Sequence, residues 1–182
     1  VEAAFFGHLS SDGGALLLRE LDERFTFIER FANCFTDHRD GRFVEHSVAE
    51  LLRQRVFGIA LGYEDLNDHD RLRVDPLMAL ASGKEDIEGK ERRYEADRGI
   101  PLASPSTLNR LELTPEDANE DSRYKKLVYD GERIEALLVD LFLDSYKVAP
   151  EEMILDFDAT DDPLHGKQEG RFFHGYYGNY CY

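Results

Sequence analysis

The sequence predicts a mainly α protein: a multi-helix N-terminal region over residues 1–149, then the first strands of an α/β sheet over residues 150–182. Three observations lead there. Apolar residues recur at helical spacing as far as Tyr146. Side-chain caps and helix-stopping glycines bracket those stripes. After Pro150 the period shortens to extended apolar and aromatic runs. Hydrophobic residues make up 42% and aromatics 12% of the 182 residues, enough for a packed core and against wholesale disorder.

The elements follow in order. Ser10-Ser11-Asp12-Gly13-Gly14 offers side-chain oxygens to the first turn of a helix through Ala15-Leu16-Leu17-Leu18-Arg19-Glu20-Leu21. Ile28, Phe31, Ala32 and Phe35 predict a short helix over residues 27–35, and residues 37–41 read as a polar turn. Ser47-Val48-Ala49-Glu50 fits a capping box. Behind it Val48, Leu51, Leu52, Val56 and Ile59 form a stripe that Gly62 ends. Asp65 caps a helix through Arg73, and Asp75-Pro76 opens another that Gly83 closes. Residues 84–100, dense in charge, read as a solvated loop. Thr107 to Glu112 predicts a helix behind Ser104-Pro105, and Thr114-Pro115-Glu116-Asp117 a further helix start. Ile134, Leu137, Leu138, Leu141 and Phe142 mark the last helix of the region.

Charge restricts function. A net charge of −16 excludes a broad basic face, so any nucleic-acid role must rest on a local patch or on cations held between carboxylates and phosphate. Cys34 and Cys181 fit neither a disulfide framework nor a zinc pattern. The chain shows no run of ~20 apolar residues and no signal-peptide pattern at its start. A cytoplasmic setting without membrane attachment is the expectation.

The chemistry lies past the period change. If residues 153–158 form a strand, Asp156 and Asp158 share one face, since side chains alternate. Paired carboxylates there suit Mg²⁺ or Mn²⁺, which can activate water and stabilise a leaving oxygen in phosphoryl transfer. The plainer reading is a solvated Asx-turn loop, and Asp161 and Asp162 are read that way. His165 and His174 read as polar turn residues. Phe172, Phe173, Tyr176, Tyr177 and Tyr180 are expected to pack the two faces of a strand.

The run Ile154-Leu155-Asp156-Phe157-Asp158-Ala159-Thr160-Asp161-Asp162-Pro163-Leu164-His165-Gly166, with Gln168-Glu169-Gly170 and Phe173-His174-Gly175-Tyr176-Tyr177 behind it, resembles bacterial insertion-sequence transposases of the DDE group. Ser10-Ser11-Asp12-Gly13-Gly14, Gly62-Tyr63-Glu64-Asp65-Leu66-Asn67-Asp68-His69 and Ser106-Thr107-Leu108-Asn109-Arg110-Leu111-Glu112 are similar to that family's helical N-terminal region. The resemblance covers essentially the whole chain. It implies a ribonuclease-H-like core that uses three carboxylates and two divalent metals, Mg²⁺ or Mn²⁺, to cut and rejoin transposon ends. Asp158, in its Asp-x-Thr context, matches the first catalytic and metal-binding aspartate; Asp156 is a supporting metal candidate. The later Asp and Glu have no match between Asp158 and Tyr182, so the expectation is a fragment that is inactive alone. DNA ends are the implied partner, and a homodimer is left open.

Two other readings use the same residues. An Asp-x-Asp-x-Thr run after an apolar strand also resembles the first motif of haloacid-dehalogenase-type phosphatases, with Asp156 as nucleophile, Asp158 as general acid/base and Mg²⁺ between them. That motif normally opens its domain, which this one does not. Alternatively the helical region is a non-catalytic DNA-binding or interaction module. In it the helix at Thr107 to Glu112 would contact DNA, with Arg110, Arg123, Lys125 and Lys126 meeting phosphate. Against this stands a structural role, with Leu108 and Leu111 in the core.

Overall fold

The computed structural model describes residues 12–156, 164, 166 and 170–181. Helix accounts for 45% of the described residues, beside two small two-stranded sheets. The chain divides into two compact units, Val1–Ser145 and Tyr146–Tyr182.

In the first unit α1 spans Ala15–Phe25. Its cap is Gly14, without a side-chain bond; Asp12 contributes its carbonyl instead, accepting from Ala15 N at 2.8 Å. The Asp12 carboxylate is engaged elsewhere, by the Tyr63 hydroxyl at 2.9 Å. Thr26 turns the chain through a left-handed conformation (φ 51°) into α2, Phe27–Ala32.

The expected helix over residues 27–35 stops three residues early. Phe35 opens β1, Phe35–Asp37, which pairs antiparallel with β2, Leu127–Tyr129. Phe35 still stacks edge-on against Phe31, with ring centroids 5.6 Å apart. The contact that produced the helical spacing therefore survives, although the backbone there joins a sheet. Asp37, expected in a polar turn, ends this strand opposite Leu127.

The capping box forms as its residue types require: Glu50 N donates to Ser47 Oγ and Ser47 N to Glu50 Oε2. It starts α3, Val48–Ala60, and Gly62 (φ 93°) follows its end. The buried face runs through Leu51, Leu52, Gln54, Phe57 and Gly58, whereas Ile59 is exposed. Asp65 caps a 3₁₀ turn, Leu66–Asp68, continued by α4, His69–Leu72. Asp75 Oδ1 accepts from the N–H groups of Leu77 and Met78 to start α5, Pro76–Ala81.

Residues 84–100 form a loop with one 3₁₀ turn, Glu95–Asp97, but it is anchored rather than simply solvated. Lys84 pairs with Glu50 at 3.0 Å, Arg92 with Glu45 at 2.7 Å, and Ile87 packs on the core. Then come α6, Pro105–Glu112, and, past β2, α7, Gly131–Asp144. No helix starts at Thr114: Pro115 begins a hydrogen-bonded turn to Ala118 instead. On α7 only Leu137 is buried, while Leu138, Val139 and Leu143 are exposed; Arg30 reaches across to Asp144 at 2.6 Å. The core gathers Ile28, Leu51, Met78, Leu102, Leu108 and Leu127.

In the second unit residues 153–156 are not in a strand, and Ile154 and Leu155 are 96% and 65% exposed. The strand expected there lacks a pairing partner among the described residues. An unpaired extended segment leaves its amides to water. A hairpin of β3, Phe172–His174, and β4, Asn179–Cys181, pairs Phe172 with Cys181 and His174 with Asn179. The aromatics expected to pack both faces of a strand are instead exposed: Phe173 lies against Tyr180, Tyr176 against Tyr177, and Phe172 against His174. Two three-residue strands offer too small a face to bury such rings.

Candidate nucleic-acid interface

The three N-terminal motif runs are far apart in sequence but meet in space. Tyr63 ties the second run to Asp12 of the first. Arg55 of α3 joins the second to the third: its guanidinium donates to the carbonyls of Tyr63 and Glu64, and it pairs with Glu112 of α6. His69, fully buried, lies 3.2 Å from the Gln54 amide. These motif residues fix where α6 sits.

On α6 the Ser104 cap and Pro105 set the start. Leu108 and Leu111 are buried, as the structural reading of this helix requires, while Arg110 on the flanking face is half-buried. Beyond α6, Asn119 organises a turn: its side chain accepts from Asp121 N at 2.9 Å and its carbonyl from Ser122 N at 3.1 Å. Arg123 and Tyr124 follow at once. Lys126 is held at the start of the ladder, its carbonyl accepting from His38 N at 2.9 Å.

The outcome is a cleft of about 400 Å³ lined by Arg110, Arg123 and Lys126 together with Arg39, Arg73 and Arg92. Asp40, Glu45 and Asp97 are the carboxylates in its wall, and they are largely committed, Asp40 to Arg42 and Glu45 to Arg92. Arg39 is fixed by two bonds to Asp37 and one to the His46 carbonyl. Arg110 and Arg123 have no carboxylate partner among the described residues; both stack on the Tyr124 ring, at 5.2 and 4.8 Å. Lys125 borders an adjoining hollow with Arg110 and Arg123. Arg39, Arg73 and Arg92 are themselves paired with Asp37, Asp70 and Glu45, so on a chain of net charge −16 it is Arg110, Arg123 and Lys126 that supply the local positive charge phosphate contacts need.

His46 also lines the cleft. Burial, reinforced by the charges of Lys84, Arg92 and Arg39, pushes its pKa down to about 3. It is therefore neutral at pH 7 and contributes no charge of its own.

Of the residues expected from sequence, Arg110, Arg123 and Lys126 converge on one cleft, with Lys125 beside it. Arg39, Arg73, Arg92 and the lining aromatics Phe43, Tyr94 and Tyr124 were missed. Arg92-Arg93-Tyr94 was the available signal: a basic pair followed by an aromatic, inside a segment read only as solvated. Asp158 lies outside the described residues. Asp156 is exposed, and among the described residues no group of three or more His, Cys, Asp or Glu gathers to hold a metal. The described residues therefore do not assemble the implied Mg²⁺ or Mn²⁺ site.

A helical scaffold that fixes a cationic cleft on an acidic chain defines a protein suited to a polyanionic partner. A family model, transposase DDE domain group 1, matches residues 1–182, and the chain belongs to that family. No curated protein and no solved structure matches it. Membership carries a transposase-related function; such proteins bind DNA and generally use a divalent metal. No described helix is long and apolar enough to cross a membrane.

Proposed function

We propose that the chain serves DNA transposition, with its helical region binding transposon-end DNA through Arg110, Arg123, Lys125 and Lys126. The observation that carries this is the convergence of Arg110, Arg123 and Lys126 on one cleft of an otherwise acidic molecule. Asp158 supplies the first catalytic carboxylate in this reading. Family membership favours that role over the phosphatase reading of the same Asp-x-Asp-x-Thr run. Only one of the family's three carboxylates has a match in this sequence, so the chain alone does not catalyse strand transfer.

Fluorescence anisotropy with duplex DNA, taken from the sequence flanking the reading frame, tests the binding. The triple variant Arg110→Ala, Arg123→Ala, Lys126→Ala should weaken binding and lower the slope of log K against log salt by roughly 2 to 3, since each phosphate contact contributes about 0.9. An unchanged slope removes these residues from the interface. Metal-dependent strand transfer by the purified chain, assayed with Mg²⁺ and with Mn²⁺, would overturn the claim of inactivity.

A further inference from the structure

The cleft has features that contact with a duplex backbone does not require. Phe43, Tyr94 and Tyr124 line it and are 58%, 55% and 56% exposed. Rings left this open are not serving the core. Guanidinium groups already lie against each of them: Arg93 over Phe43 and Tyr94, and Arg110 and Arg123 beside Tyr124. Arg73 and Arg92 line the cleft as well, and the Arg92 guanidinium is held by the Ile100 carbonyl and the Glu45 carboxylate. A volume of about 400 Å³ is within the range of small-ligand sites and far too small to admit a double helix.

From this combination we infer that the cleft binds a single unpaired nucleotide unit, with its base against the Tyr124 ring and its phosphate among the surrounding arginines. The inference rests on the DNA-binding reading of the same surface and names what enters it. Open aromatics interleaved with Arg and Lys are how proteins hold bases that have left a duplex, because every base has a face to stack. Such a unit would reach the cleft either as part of a DNA strand or as a free nucleotide, and the chemistry is common to both.

The test uses the full chain and three fluorescent DNAs of equal length: a blunt duplex, a duplex with a short unpaired overhang, and a thymidine single strand. The overhang and single strand should bind about tenfold more tightly than the blunt duplex, the range expected for one stacked base. Tyr124→Ala should reduce that preference to near one, and Tyr124→Phe, which keeps the ring, should retain it. Thermal melting of both variants checks the fold. Equal affinity for all three DNAs overturns the inference, as does an equal loss on every DNA in Tyr124→Ala. If the blunt duplex binds with its salt slope intact but shows no such preference, this inference fails while the proposed function stands; if no DNA binds, the proposed function fails, and this inference fails with it unless thymidine monophosphate alone binds and Tyr124→Ala abolishes that binding. Competition by thymidine monophosphate separates the sources. Displacement supports a free nucleotide as occupant, and retention of the strand supports one carried on DNA.

Discussion

The side-chain amide of Gln54 lies along the backbone of Ala103, with Nε2 donating to Ala103 O and Oε1 accepting from Ala103 N, both at 2.9 Å. Both residues are 1% exposed. The same Nε2 lies 3.2 Å from Nδ1 of His69. With both amide protons used in this way, Nδ1 accepts and the ring proton is assigned to Nε2. One glutamine thus links α3 and α4 to the segment that leads into α6.

Replacing Gln54 with Leu should therefore do more than remove a polar side chain. It leaves the N–H and C=O of Ala103 buried without partners, at about 1–3 kcal/mol for each group. Urea denaturation should show a lower midpoint, and duplex affinity should fall as α6 loses its anchor. Wild-type stability in this variant would mean that water or a relaxed backbone replaces both bonds.

Acid should weaken the fold through two histidines. Burial is the main cause that lowers His46 to about 3 and His69 to about 4, against an ordinary value of 6.5. Below pH 6.5 the unfolded chain binds protons that the folded chain does not, so stability falls as the pH drops through that value. The loss stops accruing near pH 4 for His69 and near pH 3 for His46. Each contributes on the order of 1 kcal/mol per pH unit within its window. Denaturation midpoints at pH 7, 6, 5 and 4.5 should decline steadily, and His46→Gln should flatten the curve.

Asp22 is buried, accepting from Ile28 N at 2.7 Å and from Arg53 Nε at 2.8 Å. It secures the start of α2 and neutralises Arg53, whose pKa burial would lower but whose bonds to Asp22 and Glu29 raise it instead. Asp22→Ala should cost about 3–5 kcal/mol, the usual result of breaking a buried pair from one side. The loss of thermal stability should exceed that of Glu29→Ala, whose partner bond is solvent-exposed.

Gly89 and Gly99 form a matched pair of probes in the loop over residues 84–100. Both have positive φ, 66° and 84°, so alanine at either pays a left-handed penalty of roughly 1–2 kcal/mol. At Gly89 an added Cβ would also sit 2.8 Å from the backbone nitrogens of Ile100 and Pro101, whereas at Gly99 it meets nothing. Gly89→Ala should therefore destabilise more and speed proteolysis within this loop. Equal effects would show that the loop shifts freely.

Local signals made much of the helical region legible. The Ser47–Glu50 capping box, the Asp65 and Asp75 caps and the stop at Gly62 depend on a side chain meeting backbone within a few residues, so sequence alone determined those helix limits. It also identified Arg110, Arg123, Lys125 and Lys126 as candidates by charge. Tertiary structure decided the rest. Phe35 left its helix because a partner strand at Leu127–Tyr129 satisfied its backbone, which no local period encodes. Arg92 reached the cleft through its ion pair with Glu45, 47 residues away, and Arg73 lies beside Leu102, whose N–H donates to the Arg73 carbonyl. Caps and stripes act over one or two turns, whereas a binding site depends on which distant segments the core brings side by side.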